Sequence, residues 1–141
     1  MLALPNENES GLMNNRSIDA IEQRRKIQTV MTLLDNAITS IRVALEDFSS
    51  TQNERMISAI RNLHAGVILL YKEKLRRLSP PNTNDALVKQ KVVLQKTSGG
   101  GLISVGAGKK TVDVSQIQER FASLGIQTDW KRFEKINSLR N

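Results

Sequence analysis

The sequence predicts a mainly α fold: a helical bundle built on a long antiparallel two-helix hairpin, with a small inserted β-hairpin and two shorter C-terminal helices. Three observations carry this. Apolar residues recur at helical spacing over two long stretches, one ending at Phe48 and the next at Leu78. Only Ser49-Ser50-Thr51 interrupts them, and long helices joined by so short a break must fold back on each other. Further on, the glycine-rich Thr97-Ser98-Gly99-Gly100-Gly101 lies between two short apolar runs, the pattern of strand, loop and strand.

Each element follows in order. Residues 1–15 are polar, carry Pro5 and Gly11 and show no periodicity, so they are expected to form a flexible leader. Residues 16–141 are expected to form a single domain. Its first helix runs from Ser17 without a break, marked by Ile18, Ile21, Ile27, Val30, Leu34, Ile38, Ile41, Leu45 and Phe48. Thr51 with Glu54 three residues on matches a capping box for the second helix. That helix carries Met56, Ile60, Leu63, Val67, Tyr71 and Leu75 on its apolar side and stops at Ser79-Pro80-Pro81, where proline cannot continue it. Leu34, Ile38, Ile60 and Val67 are expected to be largely buried.

The β-hairpin spans about 91–106, pairing Lys91–Gln95 with Leu102–Val105. Because an isolated two-stranded hairpin is marginal in water, it is expected to lie against the helices. Asp113 and Gln116 open a third helix, Val112 staples onto Ile117, and Gly125 ends it. Thr128 or Asp129 opens the fourth, where Trp130, Phe133, Ile136 and Leu139 share a face that is still in phase where the sequence stops.

Composition narrows the chemistry. The 141 residues include no cysteine, which removes disulfides, thiolate zinc sites and cysteine nucleophiles, and fits a reducing, cytoplasmic setting. The lone histidine, His64, argues against a histidine-rich metal site, and no metal or cofactor is expected. No apolar run approaches the roughly 20 residues of a membrane span, so no membrane partner is expected. Lys and Arg number 21 against 14 Asp and Glu, a net charge of +7 that favours anionic partners, nucleic acid above all.

Three features are candidate sites. Gly106-Ala107-Gly108-Lys109-Lys110-Thr111 fails as a phosphate loop, because Ile103 stands where the first glycine belongs and Lys110 where the hydroxyl belongs. It reads instead as a basic turn into the third helix, with Lys109 and Lys110 free to touch phosphate. His64 falls on the apolar side of its helix with no carboxylate three or four residues away, and reads as a core or boundary residue with one hydrogen bond. The basic residues are the strongest hint. Lys72, Lys74, Arg76 and Arg77 close the second helix, Lys89, Lys91 and Lys96 border the hairpin, and Lys109, Lys110, Lys131, Arg132 and Lys135 follow. The candidate nucleic-acid-binding set is Lys72, Lys74, Arg76, Arg77, Lys109, Lys110, Lys131 and Arg132. Tyr71, Trp130 and Phe133 are expected to be buried, so contact through backbone charge is favoured over base stacking.

Asn62 to Pro80, with Gly108-Lys109-Lys110-Thr111-Val112-Asp113-Val114, Gln118-Glu119-Arg120-Phe121 and Asp129-Trp130-Lys131-Arg132, resembles a group of bacterial HEPN-like proteins across about residues 17–141. The resemblance implies a helical bundle that dimerises. It also implies kinship with metal-independent ribonucleases of toxin–antitoxin, abortive-infection and other anti-phage defence systems. Their motif is an arginine, often followed by asparagine, with a histidine a few residues on. Arginine stabilises the charged transition state, and histidine moves protons during attack by the 2′-hydroxyl. Arg140-Asn141 matches the opening of that motif on the last helix, and no histidine follows in this sequence. Two functions stay open: a HEPN-type ribonuclease or toxin, here expected to be cut before its catalytic histidine and so inactive as a nuclease in this chain, or a non-catalytic helical module. The second would dimerise and bind nucleic-acid backbone or a protein partner such as an antitoxin.

Overall fold

The computed structural model describes residues 16–22 and 31–141, so the expected leader, and Ile27 and Val30 of the first apolar run, lie outside the described residues. The chain forms two units, Met1–Thr32 and Leu33–Asn141. In the first, residues 16–22 are helical (α1), with Ile18 and Ile21 each about half exposed. The second holds α2 (Leu33–Phe48), α3 (Asn53–Leu78), β1 (Lys89–Lys96), β2 (Leu102–Thr111), α4 (Val114–Ser123) and α5 (Trp130–Arg140). The fold is mainly helical, with α2 and α3 packed as an antiparallel hairpin and one two-stranded antiparallel sheet, as the sequence predicts.

The unbroken first helix is corrected. Met31 and Thr32 are not helical, and α2 begins at Leu33. Thr32 occupies the position before the first helical residue, and Asp35 follows in the first turn. Threonine suits a helix start, and a carboxylate there meets the positive end of the helix dipole. Periodicity cannot see a start placed inside an in-phase apolar run.

The α2–α3 contact is made by small residues. Ala37, Ala44, Ala59 and Gly66 are buried. A Cβ on Gly66 would stand 2.6 Å from Ile41 Cγ1 and 3.1 Å from the Ala37 carbonyl oxygen. The backbones therefore approach too closely for large side chains between them, and those flank the seam instead. Leu34, Ile60 and Val67 are only half-buried, and Ile38 is 53% exposed, which corrects the expected core positions.

The start of α3 also differs. Its N-cap is Gln52, which makes no side-chain capping bond, so the Thr51–Glu54 box does not form. Asp47 ties the turn instead, accepting a 2.6 Å bond from Ser58 Oγ with Arg55 at 3.8 Å. At the other end, Ser79 Oγ donates to the Leu75 carbonyl and accepts from the Leu87 amide.

The main core forms where the C-terminal half of α3 meets the segments that follow it. Leu75, Val88, Val112, Ile117 and Phe121 are buried together, with Ile68, Tyr71, Leu87, Ile126 and Trp130 packed around them. Tyr71 anchors the aromatic part, its ring 5.5 Å from Phe121, 5.2 Å from Trp130 and 5.7 Å from Phe133. Helix α4 opens on the expected capping box between Asp113 and Gln116, and Gly125 follows it at φ 69°. Asp129 caps α5 by accepting from the Arg132 amide.

The β-hairpin is longer than expected. Residues 106–111, read from sequence as a basic turn, belong to β2, with Lys91 opposite Ala107 and Lys89 opposite Thr111. Nor does it lie along the helices: Leu94 and Leu102 are 70% and 64% exposed. Bonds at its base hold it instead. Arg120 donates to the carbonyls of Ala86, Leu87 and Lys89, and Lys72 Nζ donates to Thr111 Oγ1. The Gly106 amide donates to the Thr83 carbonyl, and Asn84 Nδ2 donates to the Gly106 carbonyl. Among the described residues no helix is long and apolar enough to cross a membrane.

Candidate nucleic-acid interface

Helix α5 packs on α3 beside His64. The imidazole is 4% exposed and stacks on Phe133, ring centres 5.3 Å apart and planes 29° from parallel. Burial lowers its pKa below the ordinary histidine value, and the positive charge of Arg140 lowers it further, opposed by a side-chain hydrogen bond with Asn137. His64 is therefore neutral near pH 7. Its Nε2 is closed to solvent and has no hydrogen-bond partner.

A cleft of about 470 Å³ opens over this pair, lined by Arg61, His64, Ala65, Arg140 and Asn141. The two residues that the sequence resemblance singled out, Arg140 and Asn141, thus meet His64, which lies far from them in the chain. Arg61 was missing from the expected set. It precedes His64 by three residues, one helical turn, so it shares that face of α3; this spacing was the only sequence signal available. Two guanidinium groups beside one opening suit a phosphate, which arginine can grip through paired N–H donors.

The remaining candidates separate by their surroundings. Arg76 and Arg77 both donate to the buried Glu73 carboxylate, each with a 2.8 Å contact. The hydrogen bond from Arg76 leads in holding the Glu73 pKa down to about 2, despite burial. These two arginines are partly committed to internal structure. Lys72 is half-buried and bonded to Thr111, which places it at the base of the hairpin beside the end of β2 where Lys109 and Lys110 lie exposed. Burial lowers the pKa of Lys72, opposed by the charge of Asp113. Lys74 is exposed on α3.

Lys131 and Arg132 are exposed in the first turn of α5, and Arg132 Nε lies 3.2 Å from Asp129. They are separated from Arg140 by most of the helix, about 12 Å of rise. Phe133 is buried as expected, whereas Tyr71 and Trp130 are only half-buried, packed edge to face against each other. Among the described residues, no group of three His, Asp or Glu side chains could hold a metal ion.

The fold and cleft define a mainly helical domain with an arginine-flanked, histidine-backed opening. No family model, curated protein or solved structure matches the chain.

Proposed function

We propose that this chain is an RNA-binding domain of the HEPN-like ribonuclease type, from a bacterial toxin or anti-phage defence protein, that grips RNA by its phosphates without cleaving it. The observation that carries this reading is the convergence of Arg61 and Arg140 on the cleft backed by His64. The guanidinium groups supply charge-assisted donors to a phosphodiester, and the net charge of +7 draws RNA in. Cleavage needs a group that both takes and gives a proton. His64 has its free nitrogen walled off from solvent. It therefore backs the cleft without serving as acid or base.

Fluorescence anisotropy with a single-stranded RNA of about 20 nucleotides tests this. Arg61→Glu with Arg140→Glu is expected to weaken binding at least about tenfold and to flatten the salt dependence by about two phosphate contacts. Unchanged affinity overturns the cleft as the RNA site. RNA cut by the wild type, with cutting lost in His64→Ala, overturns the non-cleaving role.

A second reading is favoured by an apolar groove of about 370 Å³ between α2 and α3, walled by Leu45, Phe48, Met56, Ile60, Leu63 and Leu139. Leu45, Phe48 and Leu139 are more than half exposed there. Exposed apolar ground of this kind suits a homodimer interface or a protein partner such as an antitoxin. Sedimentation of a single 15.8 kDa species at tens of micromolar overturns the homodimer.

A further inference from the structure

We infer that the β1–β2 ribbon is a separate docking arm for B-form duplex DNA, distinct from the Arg61–His64–Arg140 cleft. Residues 89–111 hold five lysines (Lys89, Lys91, Lys96, Lys109 and Lys110) and no Asp or Glu. A segment so one-sided in charge is complementary to a polyanion. Lys89 is occupied on the Gly108 carbonyl, whereas Lys91, Lys96, Lys109 and Lys110 are exposed and make no ion pair among the described residues.

The shape of the ribbon selects among polyanions. Its strands carry Val92, Val93, Leu94, Leu102 and Ile103 at 36–70% exposure, with no helix laid over them. The cross-strand register pairs Leu94 with Ser104 and Lys96 with Leu102, so these four share one face. On that same face at the base, Gly106 lies against the Asn84 carbonyl oxygen, only 2.3 Å from where a Cβ would stand. The covered end and the open end of one face are therefore distinct, and the open end points away from the helices.

Two paired strands with side chains span about 10 Å, which the roughly 12 Å major groove of B-form DNA admits. There Lys96, on the open face with Leu94 and Leu102, meets guanine edges, those leucines meet thymine methyl groups, and Lys91 on the opposite face reaches the flanking phosphates. The deep, narrow major groove of duplex RNA excludes such a ribbon. Single strands are disfavoured because residues 89–111 contain no aromatic side chain on which an unpaired base could stack.

Binding to DNA and RNA duplexes of the same sequence, about 20 base pairs long, tests the arm in the full chain. The wild type is expected to bind the DNA duplex at least about tenfold tighter, and to shield guanine N7 in the major groove from dimethyl sulfate. Lys91→Gln with Lys96→Gln is expected to lower DNA affinity about tenfold and the salt slope by about two. Leu94→Ser with Leu102→Ser is expected to reduce the preference for thymine-containing sites while the salt slope stays. All four residues are exposed, and unchanged far-ultraviolet circular dichroism confirms the fold of each variant. Arg61→Gln with Arg140→Gln, which changes the net charge less than reversal, is expected to weaken single-stranded RNA binding while the guanine N7 shielding on DNA persists, so failure of the RNA cleft and failure of the arm are read separately. Equal or tighter binding of duplex RNA overturns the inference. So does an unaffected Lys91→Gln, Lys96→Gln variant, an unshielded guanine N7, or binding to phosphatidylserine vesicles without binding to DNA.

Discussion

Replacing Gly66 with alanine sets helix propensity against packing, and the structure says which wins. In a helix interior alanine is favoured over glycine by about 1 kcal/mol, so propensity alone predicts a more stable protein. At Gly66 the added methyl would stand 2.6 Å from Ile41 Cγ1, 3.1 Å from the Ala37 carbonyl oxygen and 3.3 Å from the Ile41 amide nitrogen. Two of these are backbone atoms of α2, and Cγ1 belongs to a β-branched side chain with little χ1 freedom in a helix. Relief requires α2 to move away from α3 along the seam of Ala37, Ala44 and Ala59. Overpacking of this kind costs about 2–3 kcal/mol, so the net expectation for Gly66→Ala is a loss of about 1–2 kcal/mol. Urea melts followed by circular dichroism read it directly. The neighbouring Ala65→Gly, at an exposed position of the same helix, is expected to lose about 1 kcal/mol from propensity alone. Ile41→Ala combined with Gly66→Ala is expected to restore part of the loss, a coupling of at least about 0.5 kcal/mol. A Gly66→Ala protein as stable as the wild type, or more so, refutes the close crossing.

Three further outcomes follow from the same geometry. Glu73 is held at about 2, below its ordinary value, so its stabilising contribution is present above pH 4.5 and is lost as pH falls from there toward 2. Acid titration of stability is expected to show a loss of about 1–3 kcal/mol over that window, reduced by solvent screening of the exposed arginines, and a smaller loss in Glu73→Gln. Arg120→Met strips the donor from three carbonyls at the base of the hairpin and is expected to cost about 2–4 kcal/mol, with faster amide exchange at Val112 in hydrogen-exchange spectra. His64→Leu removes a ring nitrogen that has no partner but also the Asn137 bond and the Phe133 stack, so stability at pH 7 is expected to change by no more than about 1 kcal/mol. Because burial lowers the His64 pKa, the wild type loses stability as pH drops below about 6.5 and this variant does not share that loss. A parallel decline in both proteins contradicts the buried neutral imidazole.

Much of the architecture was legible because its signals are local. The stop at Ser79-Pro80 follows from proline stereochemistry, the start of α4 from the Asp113–Gln116 capping pair, and its end from Gly125 in a left-handed conformation. The two long periodic stretches and the glycine-rich loop were enough to place the helical hairpin and the β-hairpin. Local signals misled where an alternative lay a few residues away. The capping residue of α3 is Gln52 rather than Thr51, and α2 starts inside a run whose apolar phase never breaks.

Sequence periodicity names an apolar side of a helix, but it does not say how closely the neighbouring backbone comes. That distance is set by Gly66 and three alanines, whose small size brings α2 and α3 together and leaves Ile38 outside the seam. The same holds for the cleft. The sequence alone determines the net charge of +7 and the absence of cysteine, since those sums are independent of fold. Which cations act together was decided only by tertiary structure. Packing of α5 on α3 brought Arg140 to Arg61 and His64, while Glu73 drew Arg76 and Arg77 into an internal cluster. Coulomb and hydrogen-bond energies depend on distances between side chains, and no spacing along the chain encodes the distance between residues 64 and 140.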